Sequence, residues 1–385
     1  MKKKRTICVI SSSRADYNHL YLLLKDLRNN KEFKLQLVVT GMHLLAQYGY
    51  TYKELLDDGF SIDERIAISA HGDTTNNLLK SMSKQLSSSY RVFNKLSPDI
   101  IVILGDRYDV LPIAIAANIM GIPIAHIHGG EVTEGVIDDS IRHCLTKLSH
   151  IHLVATKQFK KRVRQLGENE NNIFCIGSLG VSSLSQVPKI TKNNIVKHFK
   201  IKQPKKYFVI CIHPETIGKN NKALIDNTLN SLNKFDDYGL VFSYPNSDPG
   251  NDYILTKIKN FIKLNNHRSI LIKSAGRKYF INLIKHSNGI IGNSSTGIVE
   301  APALCIPTIN IGNRQKGRPI TKSIISTQSN TKSINNAIIK SQLTRIRKEK
   351  KLQYVNQKSI KDILKIFKKV NLDTIIEKKF SDINI

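Results

Sequence analysis

Apolar positions in this chain come in short Ile-, Val- and Leu-rich runs that end abruptly in small or polar residues, and each is followed by a stretch with helical spacing. Residues 6–10, 35–40, 100–104, 122–127 and 150–155 read as buried strands. Helices are predicted over 110–120, 139–148 and 157–166, and 48–87 holds a polar connection with further helices. A second series begins at residue 207, with strands at 208–212, 240–243, 269–272, 289–291 and 308–311 and a helix through residue 232. Strand-helix alternation predicts parallel, doubly wound sheets of the α/β class. Between the two series, at 177–187, Ser, Pro and Lys replace the apolar rhythm and mark a domain boundary. Residues 333–348 and 360–370 read as amphipathic closing helices, and 377–385 as a loosely ordered end.

At 385 residues the chain is too long for one ordinary core and suits two domains. The apolar stretch 110–127 is broken by Pro112, Asn118, Gly121 and Pro123, which predicts a helix and a strand and no membrane span. The basic start, residues 2–5, is followed by too short an apolar run for a signal peptide. Five cysteines stand singly in apolar segments, a pattern expected of reduced core thiols in a cytoplasmic protein. The formal charge of +29 raises a nucleic-acid or anionic-membrane partner. Lys is spread along the whole chain without interleaved aromatics, so it is read as a solvated surface whose field helps collect an anionic substrate.

Chemistry concentrates where the predicted strands end. Asp106 and Arg107 follow the turn at Gly105, and His128 and Glu131 follow the next strand, so titratable groups arrive at the edge where open α/β sheets bind ligands. Asp138 and Asp139 open a helix; capping accounts for one of them but not for Asp106, His128 and Glu131 converging there. The first strand runs into three serines and Arg14 before a helix, a turn that suits a phosphate without being a GxGxxG dinucleotide fingerprint. His43 also falls at a strand end. In the second half, a strand ends at His213, and the segment GNSSTGIVE forms a second anion cradle with Ser294, Ser295 and Gly297 at a helix start. Glu300 follows on the first turns of that helix, where a carboxylate suits a pair of ribose hydroxyls. The His and carboxylate spacings do not build a metal site, and no cofactor is expected.

The motifs SSSRADY, TGMHL, LGDRYD, HIHGGE with IDDSIRH and TKLSH, HPET, IGNSSTGIVE and INIGNRQKGR, in this order, resemble those of the hydrolysing UDP-N-acetylglucosamine 2-epimerases. The resemblance spans nearly the whole chain. It implies two Rossmann-like domains facing a cleft, in the glycosyltransferase-B shape: residues 1–185 with most acid/base groups, residues 186–360 binding UDP, and a C-terminal helix and tail, 361–385, returning to the first domain. The implied reaction is an elimination of UDP from a UDP-sugar to a 2-acetamidoglycal, then hydration to N-acetylmannosamine or an analogue. By similarity Asp106, Asp138 and the carboxylate of the HIHGGE loop are the acid/base groups, and His213 lies near the leaving diphosphate. Several family members carry Glu where this chain has His128, so either His128 or Glu131 is the protonating group. Arg14, Ser294 and Ser295 resemble diphosphate ligands, Glu300 a ribose clamp, Arg107 and Phe280 a uracil sandwich, and His43 and Arg314 further nucleotide contacts. The family's habit implies a homodimer or homotetramer. Neither nucleic acid nor membrane is an expected partner.

Other readings stay open on the sequence: a non-hydrolysing epimerase, a glycosyltransferase of the same fold, a non-catalytic UDP-sugar or nucleic-acid binder, and the same hydrolysing reaction on UDP-N,N'-diacetylbacillosamine. HIHGGE and IDDSIRH favour the hydrolysing branch.

Overall fold

In the computed structural model of this chain, residues 4–68, 74–134, 136–217, 221–246, 248–343, 354–356 and 358–383 are described. The first series of strands forms one parallel sheet: β1 (Arg5–Ser11), β2 (Phe33–Val39), β3 (Glu64–Arg65), β4 (Ile100–Leu104), β5 (Ile124–Ile127), β6 (Ile151–Val154) and β7 (Ile173–Cys175), in spatial order β3-β2-β1-β4-β5-β6-β7. The second comprises β8 (Tyr207–Cys211), β9 (Gly239–Ser243), β10 (Ser269–Ile272), β11 (Gly289–Gly292), β12 (Thr308–Ile311) and β13 (Ile324–Thr327), in order β10-β9-β8-β11-β12-β13. In each sheet the order reverses beside the first strand, between β1 and β4 and between β8 and β11. The loops at the carboxyl ends of those strands therefore diverge and leave a crevice for a ligand.

Three edge strands escape the hydrophobic pattern. β3 has two residues, β7 ends on the exposed Cys175, and β13 turns polar after Ile325, so none carries a full apolar run. The polar connection resolves into a long helix, Thr75–Leu96, and the boundary segment contains a short one, Leu179–Ser183. The first closing helix spans Thr331–Leu343; the expected continuation to 348 lies outside the described residues.

Residues of β1 alternate between two cores because successive side chains of a strand point to opposite faces. Ile7 and Val9 pack with Leu20, Leu23, Ile363 and Phe367, whereas Cys8 and Ile10 pack with Phe93, Ile113 and Leu145. The helix Ser359–Lys369, which follows the second sheet in sequence, thus covers the first. Full burial of Ile363 and Phe367 contributes roughly 1.5–3 kcal/mol each.

Residues 378–381 are docked, in contrast to the loose end expected over 377–385. Lys378 Nζ donates to the carbonyls of Thr146, Lys147 and Ser149 and pairs with Glu168, and Ser381 N donates to Gly167 O at 2.9 Å. A lysine at the carboxyl end of the helix Asp138–Leu148 satisfies free carbonyls and complements the helix dipole. The cysteines also depart from expectation: Cys8 and Cys211 are buried, but Cys144 and Cys175 are exposed because they lie on outward faces of their elements. No helix among the described residues is long and apolar enough to cross a membrane.

The two sheets face each other across a cleft lined from both sides. Contacts bridge its rims: Arg14 donates to Lys273 O at 2.8 Å, Arg277 to Ser183 O at 2.8 Å, and Asn251 to the Tyr48 hydroxyl at 3.0 Å.

Candidate active site

On the first wall, β4 ends at Gly105, whose φ of +82° turns the chain and leads into Asp106. Asp106 forms an ion pair with the buried guanidinium of Arg142. Arg142 also reaches Thr133 Oγ1 at 3.2 Å and Asp139 at 3.6 Å. The paired carboxylates at the start of the helix Asp138–Leu148 divide their tasks. Asp139 accepts from Thr133 N at 2.6 Å and ties down the loop, while Asp138 lines the cleft. Burial and the charge of Asp248 push Asp138 up to about 6, against the pull of Arg314 and Arg107.

The strand β5 ends at His128, held in the left-handed region at φ +67°, where non-glycine residues are uncommon. Its Nδ1 lies 2.6 Å from Glu131 Oε1, and Glu131 Oε2 pairs with Arg318 at 2.9 Å. Burial alone would raise Glu131, but Arg318 and His128 outweigh it and hold the carboxylate at about 2.

The second wall is built on β8 and β11. Gly292 closes β11 with φ +140°, and a Cβ there would lie 2.0 Å from Cys211 O, so only glycine fits. Asn293 then fastens the two strand ends, donating to His213 O and accepting from His213 N, both at 2.8 Å. His213 Nδ1 accepts from Asn246 N at 3.1 Å, which puts the proton of the neutral ring on Nε2. Burial, with Arg314, Arg14 and Arg107 nearby, pushes His213 far below its ordinary range and keeps it neutral. Ser294 caps the helix Ser295–Ala303, its oxygen accepting from Thr296 N, and its hydroxyl proton remains to be donated. Ser295, Thr296, Arg14 and Arg314 also line the cleft, so hydroxyls, guanidinium groups and a helix amino end, which favours negative charge, meet there. Glu300, deeper on the same helix, is pushed up to about 8 by burial. It sits 3.6 Å from His19 Nε2 and against Gly180, where a Cβ would meet its Oε1 at 2.5 Å.

The cleft therefore unites Asp106, His128, Glu131, Asp138 and His213 with Arg14, Arg107, Phe280, Ser294, Ser295, Glu300 and Arg314. Two expected contacts fall elsewhere. His43 is fully buried behind the wall, bonded to Ser11 Oγ at 2.9 Å and Thr51 Oγ1 at 2.8 Å, and is structural. Gly297 faces β12: its carbonyl accepts from Thr308 Oγ1 at 2.7 Å, and a Cβ would strike Thr308. Arg107 lines the cleft but its guanidinium is engaged by Asp109 and Asp248 and lies beside Tyr108, which opposes a free stacking plane. His19, Arg277 and Arg318 were not foreseen, and Arg142 was given no role of its own. Arg142 and Arg318 do stand inside the motifs IDDSIRH and INIGNRQKGR; for His19 and Arg277 the sequence carried no signal. Among the described residues no group of three or more His, Cys, Asp or Glu side chains is arranged to hold a metal ion.

Residues 25–368 match the family described as UDP-N-acetylglucosamine 2-epimerase. The chain is 38% identical to the GDP/UDP-N,N'-diacetylbacillosamine 2-epimerase (hydrolyzing) of Campylobacter jejuni, over 99% of this chain and 100% of that one. It is 39% identical to the polysialic acid biosynthesis protein P7 of Escherichia coli, over 84% of this chain and 82% of that one. Its fold is that of the UDP-GlcNAc 2-epimerase of Neisseria meningitidis bound to UDP-GlcNAc, with a TM-score of 0.79 at 17% identity over 95% and 100% of the two chains.

Proposed function

Because this chain belongs to the UDP-N-acetylglucosamine 2-epimerase family, we propose that it is a hydrolysing enzyme that converts UDP-N-acetylglucosamine and water to N-acetylmannosamine and UDP. The observation that carries this reading is one cleft with two unlike walls. Asp106, Asp138 and the His128–Glu131 pair supply the proton-transfer machinery from the first, and His213, Ser294 and Ser295 supply donors to an anion from the second.

In the proposed elimination a base removes the carbon-2 proton, the electron pair of that bond becomes the carbon-1 to carbon-2 double bond, and the anomeric C–O bond breaks with UDP taking its electrons. Positioned general bases contribute about 10²–10⁴-fold to such steps. The weakly acidic proton also demands strong stabilisation of the departing diphosphate. That role suits the helix amino end at Ser294, the Nε2 proton of His213, and the charges of Arg14 and Arg314. Hydration then adds water oxygen to carbon 1 and a proton to carbon 2 from the opposite face. No electron acceptor enters the balance.

The end-to-end match to the Campylobacter jejuni relative favours a second substrate, UDP-N,N'-diacetylbacillosamine, for the same chemistry. Proton NMR of the protein with each UDP-sugar in deuterated water tests both readings. Free UDP and a manno-configured sugar deuterated at carbon 2 are expected, with the faster substrate being the natural one. Intact UDP-sugar in both samples would overturn the proposal.

A further inference from the structure

Glu131 is already fully committed. One carboxylate oxygen is 2.6 Å from His128 Nδ1 and the other 2.9 Å from an Arg318 nitrogen, so it can approach a substrate only by giving up a buried ion pair. His128 is in the opposite condition. It is 9% exposed, it lines the cleft, and its Nε2 is buried with no hydrogen-bond partner among the described residues. The ring is also held in place, by a left-handed backbone at φ +67° and by edge-to-face contact with His19 at 5.5 Å between ring centres. A carboxylate can only accept, so Glu131 fixes the Nδ1–H tautomer of a neutral imidazole, in which Nε2 is the unprotonated, unpartnered nitrogen of a cleft-lining ring. A base oriented through its far nitrogen by a buried carboxylate is a recurring solution to proton abstraction.

We infer that His128 takes the carbon-2 proton in the elimination and that Glu131, anchored by Arg318, is its positioning residue; this rests on the epimerase reading above. The carbon-2 proton moves to Nε2, its bonding pair forms the carbon-1 to carbon-2 double bond, and UDP leaves with the anomeric C–O pair. The resulting imidazolium is balanced by Glu131 and returns its proton to solvent. The proton added to carbon 2 in hydration then comes from a different group on the opposite face.

The test compares wild type, His128→Gln and Glu131→Gln on the UDP-sugar turned over in the NMR assay, on 2-acetamidoglucal supplied with UDP, and for UDP affinity by calorimetry. For His128→Gln, UDP release is expected to fall at least ~100-fold, as for loss of a general base. UDP affinity and glycal hydration are expected to stay within about threefold, since neither uses the lost group. For Glu131→Gln, kcat is expected to fall at least ~10-fold with KM held within about threefold, because the amide cannot fix the tautomer. Near-wild-type UDP release by His128→Gln, or equal loss of elimination and hydration, would overturn the assignment. If His128→Gln misfolds and no longer binds UDP, Glu131→Gln decides: the expected kcat loss at constant KM supports the pairing, and unchanged kcat removes it. A wild type inert on every UDP-sugar refutes the epimerase reading itself, a separate result.

Discussion

Arg142 and Asp106 form an ion pair between the helix Asp138–Leu148 and the turn after β4, so the same guanidinium that braces Asp139 and Thr133 sets the position of a cleft carboxylate. Asp106→Asn is expected to lower turnover at least ~100-fold while UDP affinity, measured by calorimetry, stays within about threefold. Arg142 would also be left buried without its full partner, so a loss of stability of up to about 3–5 kcal/mol is expected in urea unfolding. An Asn variant with full activity would show that the acid/base wall is misassigned.

His213 presents an Nε2 proton because Nδ1 is occupied by the amide of Asn246. Removing this donor with His213→Ala is expected to reduce kcat by about 10²-fold, the usual effect of losing one stabiliser of a leaving anion. As burial and the nearby arginines push the ring far below its ordinary range and keep it neutral, an acid limb of the pH–rate profile in the ordinary histidine range does not belong to it. The pH–rate profile of His213→Asn should therefore keep the wild-type acid limb; a limb that vanishes would mean His213 titrates.

Glu300 sets a pH dependence of stability with a definite sign. Its carboxyl is raised from 4.5 to about 8, so the folded chain holds a proton that the unfolded chain releases. Stability is greatest below the unfolded value and falls as pH rises through the folded one. In the absence of nucleotide, the wild-type Tm is expected to decline between about pH 5 and 8.5, and Glu300→Gln to flatten that decline. Asp138 acts in the same sense but only up to about 6, so Asp138→Asn should flatten the lower part alone. Parallel melting curves for wild type and Glu300→Gln would refute the burial of an uncharged Glu300.

Ser294 and Ser295 are adjacent but separable. Ser294 caps its helix, so Ser294→Ala should weaken UDP binding and also cost about 1 kcal/mol of stability. Ser295→Ala should weaken UDP binding with stability within about 0.5 kcal/mol of wild type. Calorimetric titration and chemical unfolding on the two variants check this, and the reverse pattern would exchange their roles.

Lys378 ties its segment to the carboxyl end of the helix Asp138–Leu148 through three carbonyls and Glu168. Lys378→Met is expected to destabilise by about 1–3 kcal/mol, since those acceptors and Glu168 lose a charged donor. An unchanged urea midpoint would mean the tail is not docked in solution.

Both parallel sheets, and the strand ends at which the chemistry collects, were legible in the sequence because they arise from local causes. β-branched runs of limited length bury as central strands, and Gly or small hydroxyl residues end them wherever the backbone must turn toward a ligand. Which side chains enter the cleft was decided only by tertiary structure. Asp138 and Asp139 are equivalent as sequence, yet a helix rotates by about 100° per residue and sends one to the cleft and the other to the loop. His43 and Gly297 stand at the right strand ends and face the wrong way, toward Thr51 and Thr308. Glu131 is held between Arg318 and His128, an arrangement invisible along the chain because Arg318 meets the other two only when the second sheet folds against the first.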